Sequence, residues 1–265
     1  MARFLFSFFI LFTLLSSLLF TLTDAASKPK PKPNKKMVNI VLVHGAIADG
    51  SSWSRVIPIL QDAGHTVLAV QQPLTSIDDD VAKVKVALAT ITNGPIVLVG
   101  HSFGGLVITQ AATGNANISS LVYVAAFAPD KGESIVELGK NFTALPSAQH
   151  FVPDGAGRLT LPQDLFVKYF CPDVDQKEAK IMAAAQGPCD AARFGYVSGA
   201  PAWKEHPSYY VVAEKDQIIQ PEMEAFFAQR MKAKKTVKIP SSHAVLVSHP
   251  KEVAALILEA AKAAK

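Results

Sequence analysis

Ile96-Val97-Leu98-Val99-Gly100-His101-Ser102-Phe103-Gly104-Gly105 carries the reading of the fold. Four apolar residues, three of them β-branched, run into a serine with glycine two positions to either side. Such a run suits a strand buried on both faces of a parallel sheet. The next residues, Leu106, Val107, Thr109, Gln110 and Ala111, read as a helix. A chain that turns from strand to helix on a single serine leaves no room for side chains beside it, which is why Gly100 and Gly104 flank Ser102. The same turn lifts the hydroxyl above the sheet, at a helix start whose N–H groups favour developing negative charge. An incidental serine in a glycine-rich turn is the bland alternative, and the strand-to-helix placement argues against it.

Outward from this stretch the pattern repeats. Val38 to Val43, Thr66 to Val70, Leu121 to Val124, Tyr209 to Val212 and the shorter Thr236 to Ile239 are further apolar runs beside turn residues. Between them lie apolar stripes spaced by three and four: Trp53, Val56, Ile57 and Leu60; Ile77, Val81, Val84, Leu88 and Ile91; Val253, Leu256, Ile257 and Ala260. Strand and helix in alternation predict an α/β fold, a mostly parallel central sheet flanked by helices. Roughly residues 131–203 break the rhythm, with more proline, scattered aromatics and no clean strand run. A structureless loop of that length would be unusual, so the expectation is a small helical cap inserted into the domain.

A serine hydroxyl needs a base to take its proton and an acid to orient the base. Asp216 falls in the loop after the Tyr209–Val212 run, just before Ile218 and Ile219, which could bury it; Glu214 is the rival. His243 follows two small serines and precedes the apolar Ala244–Val247, whereas His249 stands before Pro250 at the start of the last helix, where capping explains it. Tetrahedral chemistry at a carbonyl needs two N–H donors aimed at the oxyanion. Phe103 N–H is one candidate; the other lies just past His44-Gly45, where Ala46 is preferred to Ile47. His44 and His101 read as structural.

The order of His-Gly turn, GHSFGG elbow, Asp216 and His243 resembles the α/β-hydrolase superfamily, whose triad runs serine, acid, histidine along the chain. The likeness covers residues 37–265. VLVHGAIADGSSW and GHSFGGLVI resemble the group of small bacterial esterases, plant methylesterases and hydroxynitrile lyases. That resemblance implies a helical cap, a triad of Ser102, Asp216 and His243, and an oxyanion hole at Ala46 and Phe103. It implies a serine hydrolase acting on a small, largely apolar ester through an acyl-enzyme. Dehalogenases and epoxide hydrolases carry aspartate at the elbow, and the lyases carry lysine after the catalytic histidine, where this chain has Ala244; lyase activity is disfavoured. A ligand-binding receptor of the same fold, with slow or no turnover, is the alternative reading. No dinucleotide, phosphate-loop or HExxH motif occurs, so no cofactor and no metal are expected.

The ends of the chain account for its overall character. Its 265 residues are 49% apolar with a formal charge of +4, but six of the 26 basic residues precede residue 37, where Asp24 is the sole acid. The body, 37–265, has 20 basic and 21 acidic groups, and therefore lacks the basic footprint of a nucleic-acid binder. Residues 1–25 read as a secretory signal peptide: Arg3, the apolar run Phe4–Leu22, then small residues to Ala25. An uncleaved membrane anchor is the alternative, since this run of 19 apolar, serine and threonine residues is at the lower limit for a span. Residues 26–36, with SKPKPKPNKK, read as an extended, solvated linker. The expectation is a secreted or extracytoplasmic protein, membrane-bound only if the leader stays. In that setting Cys171 and Cys189 are candidates for a disulfide, and Asn117-Ile-Ser and Asn141-Phe-Thr are acceptor triplets for N-glycosylation.

Overall fold

The computed structural model describes residues 37–264. Residues 1–25 and 26–36, read from the sequence as a leader and a linker, lie outside the described residues, and with them the expectations placed there.

Six strands form one parallel sheet: β1 (Asn39–Val43), β2 (Thr66–Val70), β3 (Ile96–His101), β4 (Ile118–Val124), and, beyond a long insertion, β8 (Ser208–Ala213) and β9 (Lys235–Ile239). Their order is β2-β1-β3-β4-β8-β9. The central strands β3 and β8 are buried along their whole length, while the edge strands β2 and β9 are partly exposed. That gradient explains why the central runs lack polar alternation: both faces are covered. The helices that cover them are α1 (Ile57–Asp62), α2 (Ile77–Ala89), α3 (Gly104–Ala111), α7 (Pro221–Arg230), the single turn α8 (Val245–Ser248) and α9 (Pro250–Ala263). Proline at the first or second position starts α1, α7 and α9, where its missing N–H costs nothing. Ser76 starts α2 by accepting the Asp79 N–H on its hydroxyl at 3.0 Å. The stripe from Trp53 to Leu60 divides into a 3-10 turn, Gly50–Trp53, and α1.

The insertion between β4 and β8 is a cap, as expected, but not a purely helical one. It holds α4 (Ile135–Gly139), α5 (Gln163–Tyr169) and α6 (Gln176–Ala185) with three 3-10 turns. It also holds a small antiparallel sheet, β5 (Val152–Pro153), β6 (Arg158–Thr160) and β7 (Cys189–Asp190), in the order β5-β6-β7. Strands of two or three residues are too short to show a periodicity, which is why the sequence reads there as irregular. Arg193, in the last cap turn before Gly199, forms a buried ion pair with Asp80 on α2 and so pins cap to body.

Candidate active site

In a parallel sheet the carboxyl ends of all strands face one edge, and the loops carrying Ser102, Asp216 and His243 leave there from β3, β8 and β9. Ser102 has φ of 54°, the left-handed region that side chains disfavour. Its N–H donates to the carbonyls of Val124 and Ala125 at 3.1 Å, which holds the turn in that conformation. The glycines serve close approach: a Cβ at Gly100 would lie 2.5 Å from the Gly104 carbonyl oxygen, and one at Gly104 2.6 Å from those of Val43 and His44.

Asp216 is buried and Glu214 is exposed, which separates the two acids. Asp216 Oδ2 accepts His243 Nδ1–H at 2.5 Å, and Oδ1 accepts the N–H of Ile218 and Ile219 at 2.6 and 3.0 Å. Oδ1 thereby has two backbone donors, and the histidine is held as the tautomer with a bare Nε2. That nitrogen is buried and makes no hydrogen bond among the described residues. The imidazole lies between the rings of His101 and Phe170, each centred 4.7 Å away.

His101, next to the serine, donates from Nε2 to the backbone carbonyl of His243 at 3.0 Å. Burial, and the neighbouring His243, push its pKa well below the ordinary histidine value, so it stays neutral. It therefore ties the elbow to the histidine loop. His44 is structural: Nδ1–H donates to Gly45 O at 2.8 Å and Nε2 accepts Gln72 N–H at 3.0 Å. His249 stands between α8 and α9, its Nδ1 bonded to Ser248 Oγ at 3.0 Å.

The histidine loop has a partner that sequence reading did not single out. Asp173, in the cap between α5 and α6, accepts Ser241 Oγ–H and Ser242 N–H on Oδ2, both at 2.9 Å, and Ser242 Oγ–H on Oδ1. These bonds outweigh its burial and hold its carboxyl below the usual aspartate range. Ala244 N–H donates to Phe170 O at 3.1 Å beside them. Nothing in the sequence marks an aspartate 68 and 69 residues from these serines as a partner of this loop.

Ala46 and Phe103 both border the cavity above Ser102, and neither backbone N–H makes a hydrogen bond among the described residues. Ile47, the neighbour of Ala46, has φ of 49°. The cavity has a volume of about 380 Å³ and no charged side chain in its wall. Of the cap aromatics, Phe151, Phe170 and Phe194 line it, with Phe103 and Phe127 from the body. Trp203 does not; its indole N–H donates to Pro129 O at 3.3 Å.

The expected disulfide is absent. Cys171 and Cys189 are free and buried in different surroundings. Cys171 Sγ faces Phe166 O after α5, and Cys189 sits in β7 opposite Leu159, near Arg193 and the Ile47 backbone. Each thiol has its own neighbours in the packed cap, and burial pushes that of Cys171 up to about 12. Asn117 and Asn141 are exposed.

A model of the alpha/beta hydrolase family matches residues 40–256. Carbendazim hydrolyzing esterase of Nocardioides sp. (strain SG-4G) is 34% identical over 114 residues, 38% of this chain and 47% of that protein, so the match spans about half of its length. Polyneuridine aldehyde esterase of Rauvolfia serpentina is 24% identical over 262 residues, 85% of this chain and 96% of the relative. A crystal structure of polyneuridine aldehyde esterase superposes with a TM-score of 0.74 at 20% identity, covering 85% of this chain and 100% of the other.

Proposed function

We propose that this chain, which belongs to the alpha/beta hydrolase family, is an ester-hydrolysing enzyme that cleaves a small, largely apolar carboxylic ester by way of a Ser102 acyl-enzyme. The observation that carries this reading is the buried His243–Asp216 bond at 2.5 Å, which leaves a bare Nε2 at the edge of the sheet where the Ser102 turn stands. Two relatives with matching segments are named as esterases.

Ser102 Oγ attacks the ester carbonyl as His243 Nε2 takes its proton, while Asp216 holds the imidazolium through Nδ1. The N–H groups of Ala46 and Phe103 receive the oxyanion. His243 then returns the proton to the departing alkoxide, and water attacks the acyl-enzyme by the reverse path. The Ser102–His243 bond needed for the first step forms as substrate seats, since such bonds are often long before binding. The uncharged cavity wall favours a neutral ester over an acid or an ammonium compound, because an unpaired charge there would be desolvated without compensation. The leader read in residues 1–25 supports action outside the cytoplasm.

A panel of neutral esters varied separately in acyl and alcohol length, followed in single and multiple turnover, tests this. Steady turnover that falls when a charge is added to either half is expected. A stoichiometric burst with no later turnover would instead make the protein a receptor that keeps the triad.

A further inference from the structure

Behind the triad acid lies a second buried carboxyl. Glu224, in the first turn of α7, is fully buried, and its helix neighbours Met223, Phe227 and Ala228 pack as apolar residues. Its Oε2 accepts the N–H of Ala213, the last residue of β8, at 2.8 Å, while Oε1 is buried with no hydrogen-bond partner. Two titratable groups face it. One is the Asp216 carboxyl beside it. The other is the Tyr210 phenol of β8, whose hydroxyl is already engaged: it donates to Ala126 O and accepts Ala126 N–H at 3.2 Å. Farther off on β4, Tyr123 stacks on Tyr210, its own hydroxyl bonded to Thr109.

We propose that Glu224 is a positioning residue: it bears a proton on Oε1 and donates it as a hydrogen bond to the Asp216 carboxylate, fixing the acid that orients His243. The inference rests on the triad reading given above. Two adjacent carboxyls in a dry site do not both ionise. Asp216 has two backbone N–H donors and the His243 Nδ1–H, whereas Glu224 has a single N–H. Asp216 is therefore the anion. Burial, and Asp216 alongside, push the Glu224 carboxyl well above the usual glutamate range, which agrees with that assignment. The arrangement leaves Asp216 bonded on every side, an acceptor with nowhere to turn except toward the imidazole.

Glu224→Gln keeps an uncharged donor and an acceptor in the same shape; Glu224→Met keeps the bulk and loses the donor. The expected results are a fall in kcat of about tenfold in Glu224→Met with KM within about twofold, and recovery by Glu224→Gln to within about threefold of wild type. The acid limb of kcat/KM should stay in place in Glu224→Gln. A downward move of that limb by about one pH unit would mean that a negative charge had been removed, and would overturn the proposal, as would wild-type kcat in Glu224→Met. If Glu224→Met does not fold, infrared spectroscopy decides. Wild type should show a protonated-carboxyl stretch at pH well above the ordinary glutamate value, absent in Glu224→Gln. That band does not depend on turnover, so a wild type that hydrolyses no ester would count against the triad reading and not against the proton on Glu224; absence of the band in wild type would overturn the proposal alone.

Discussion

The turn bearing Ser102 and the loop bearing His243 share one edge of the sheet and are held in opposite ways. The serine turn is locked by backbone: glycines at 100 and 104 in van der Waals contact with neighbouring main chain, and two carbonyls receiving the Ser102 N–H. The histidine loop is held by side chains that carry charge or polarity: Asp216 with Glu224 behind it, Asp173 from the cap, and His101 from the elbow. The serine turn is thus placed by main-chain contacts, whereas the histidine loop is placed by titratable side chains, one of them from the cap. Main-chain packing fixes a position rigidly and tolerates no added atom. Polar anchoring sets a position that pH and neighbouring segments can alter.

Breaking the first mode should have the larger effect. Gly100→Ala would put a methyl 2.5 Å from the Gly104 carbonyl oxygen and 2.8 Å from the Gly105 nitrogen, all of it backbone that cannot rotate away. A loss of about 3 kcal/mol or more in urea unfolding is expected. Wild-type stability in that variant would mean the turn is not packed as described. Asp173→Ala should leave a folded protein with kcat down about five- to tenfold, because the histidine loop loses three bonds while the nucleophile is untouched. An unchanged kcat would show that Asp216 and His101 suffice to hold the loop.

Acid should sharpen the contrast. Asp173 has a depressed pKa in the folded protein, so its anchoring is complete above the unfolded value of about 3.9 and is lost as pH falls through the lower folded one. The difference in Tm between wild type and Asp173→Ala should accordingly be full at neutral pH and shrink below about pH 4. A difference that grows toward acid would reverse the sign of this account. The smallest effect belongs to Glu214, exposed on the same loop as Asp216: Glu214→Gln should keep kcat/KM within about twofold.

The same division explains what could be read from residues alone. Ser102, Asp216 and the six sheet strands stand out because each has a local signature: glycines about a serine, an acid after an apolar run, β-branched residues between turns. His243 was separable from His249 by its small and apolar neighbours. Asp173 and Glu224 have no such signature, since each acts across a gap in the chain and its neighbours in sequence say nothing of what it meets. The cap sheet has no signature in the sequence because β5, β6 and β7, at two or three residues each, are too short to repeat an alternation. The cysteine pair suggested a bridge on number and compartment, and the fold sets the two thiols among separate neighbours.

The central claim is that Ser102 is the nucleophile. Hydrolysis of a short p-nitrophenyl ester by Ser102→Ala, with the circular dichroism and melting curve of each protein recorded alongside, tests it most directly. The account predicts a fold that is unchanged and a kcat/KM lower by about 10⁴-fold or more. Turnover at the wild-type rate in a folded Ser102→Ala protein would contradict it.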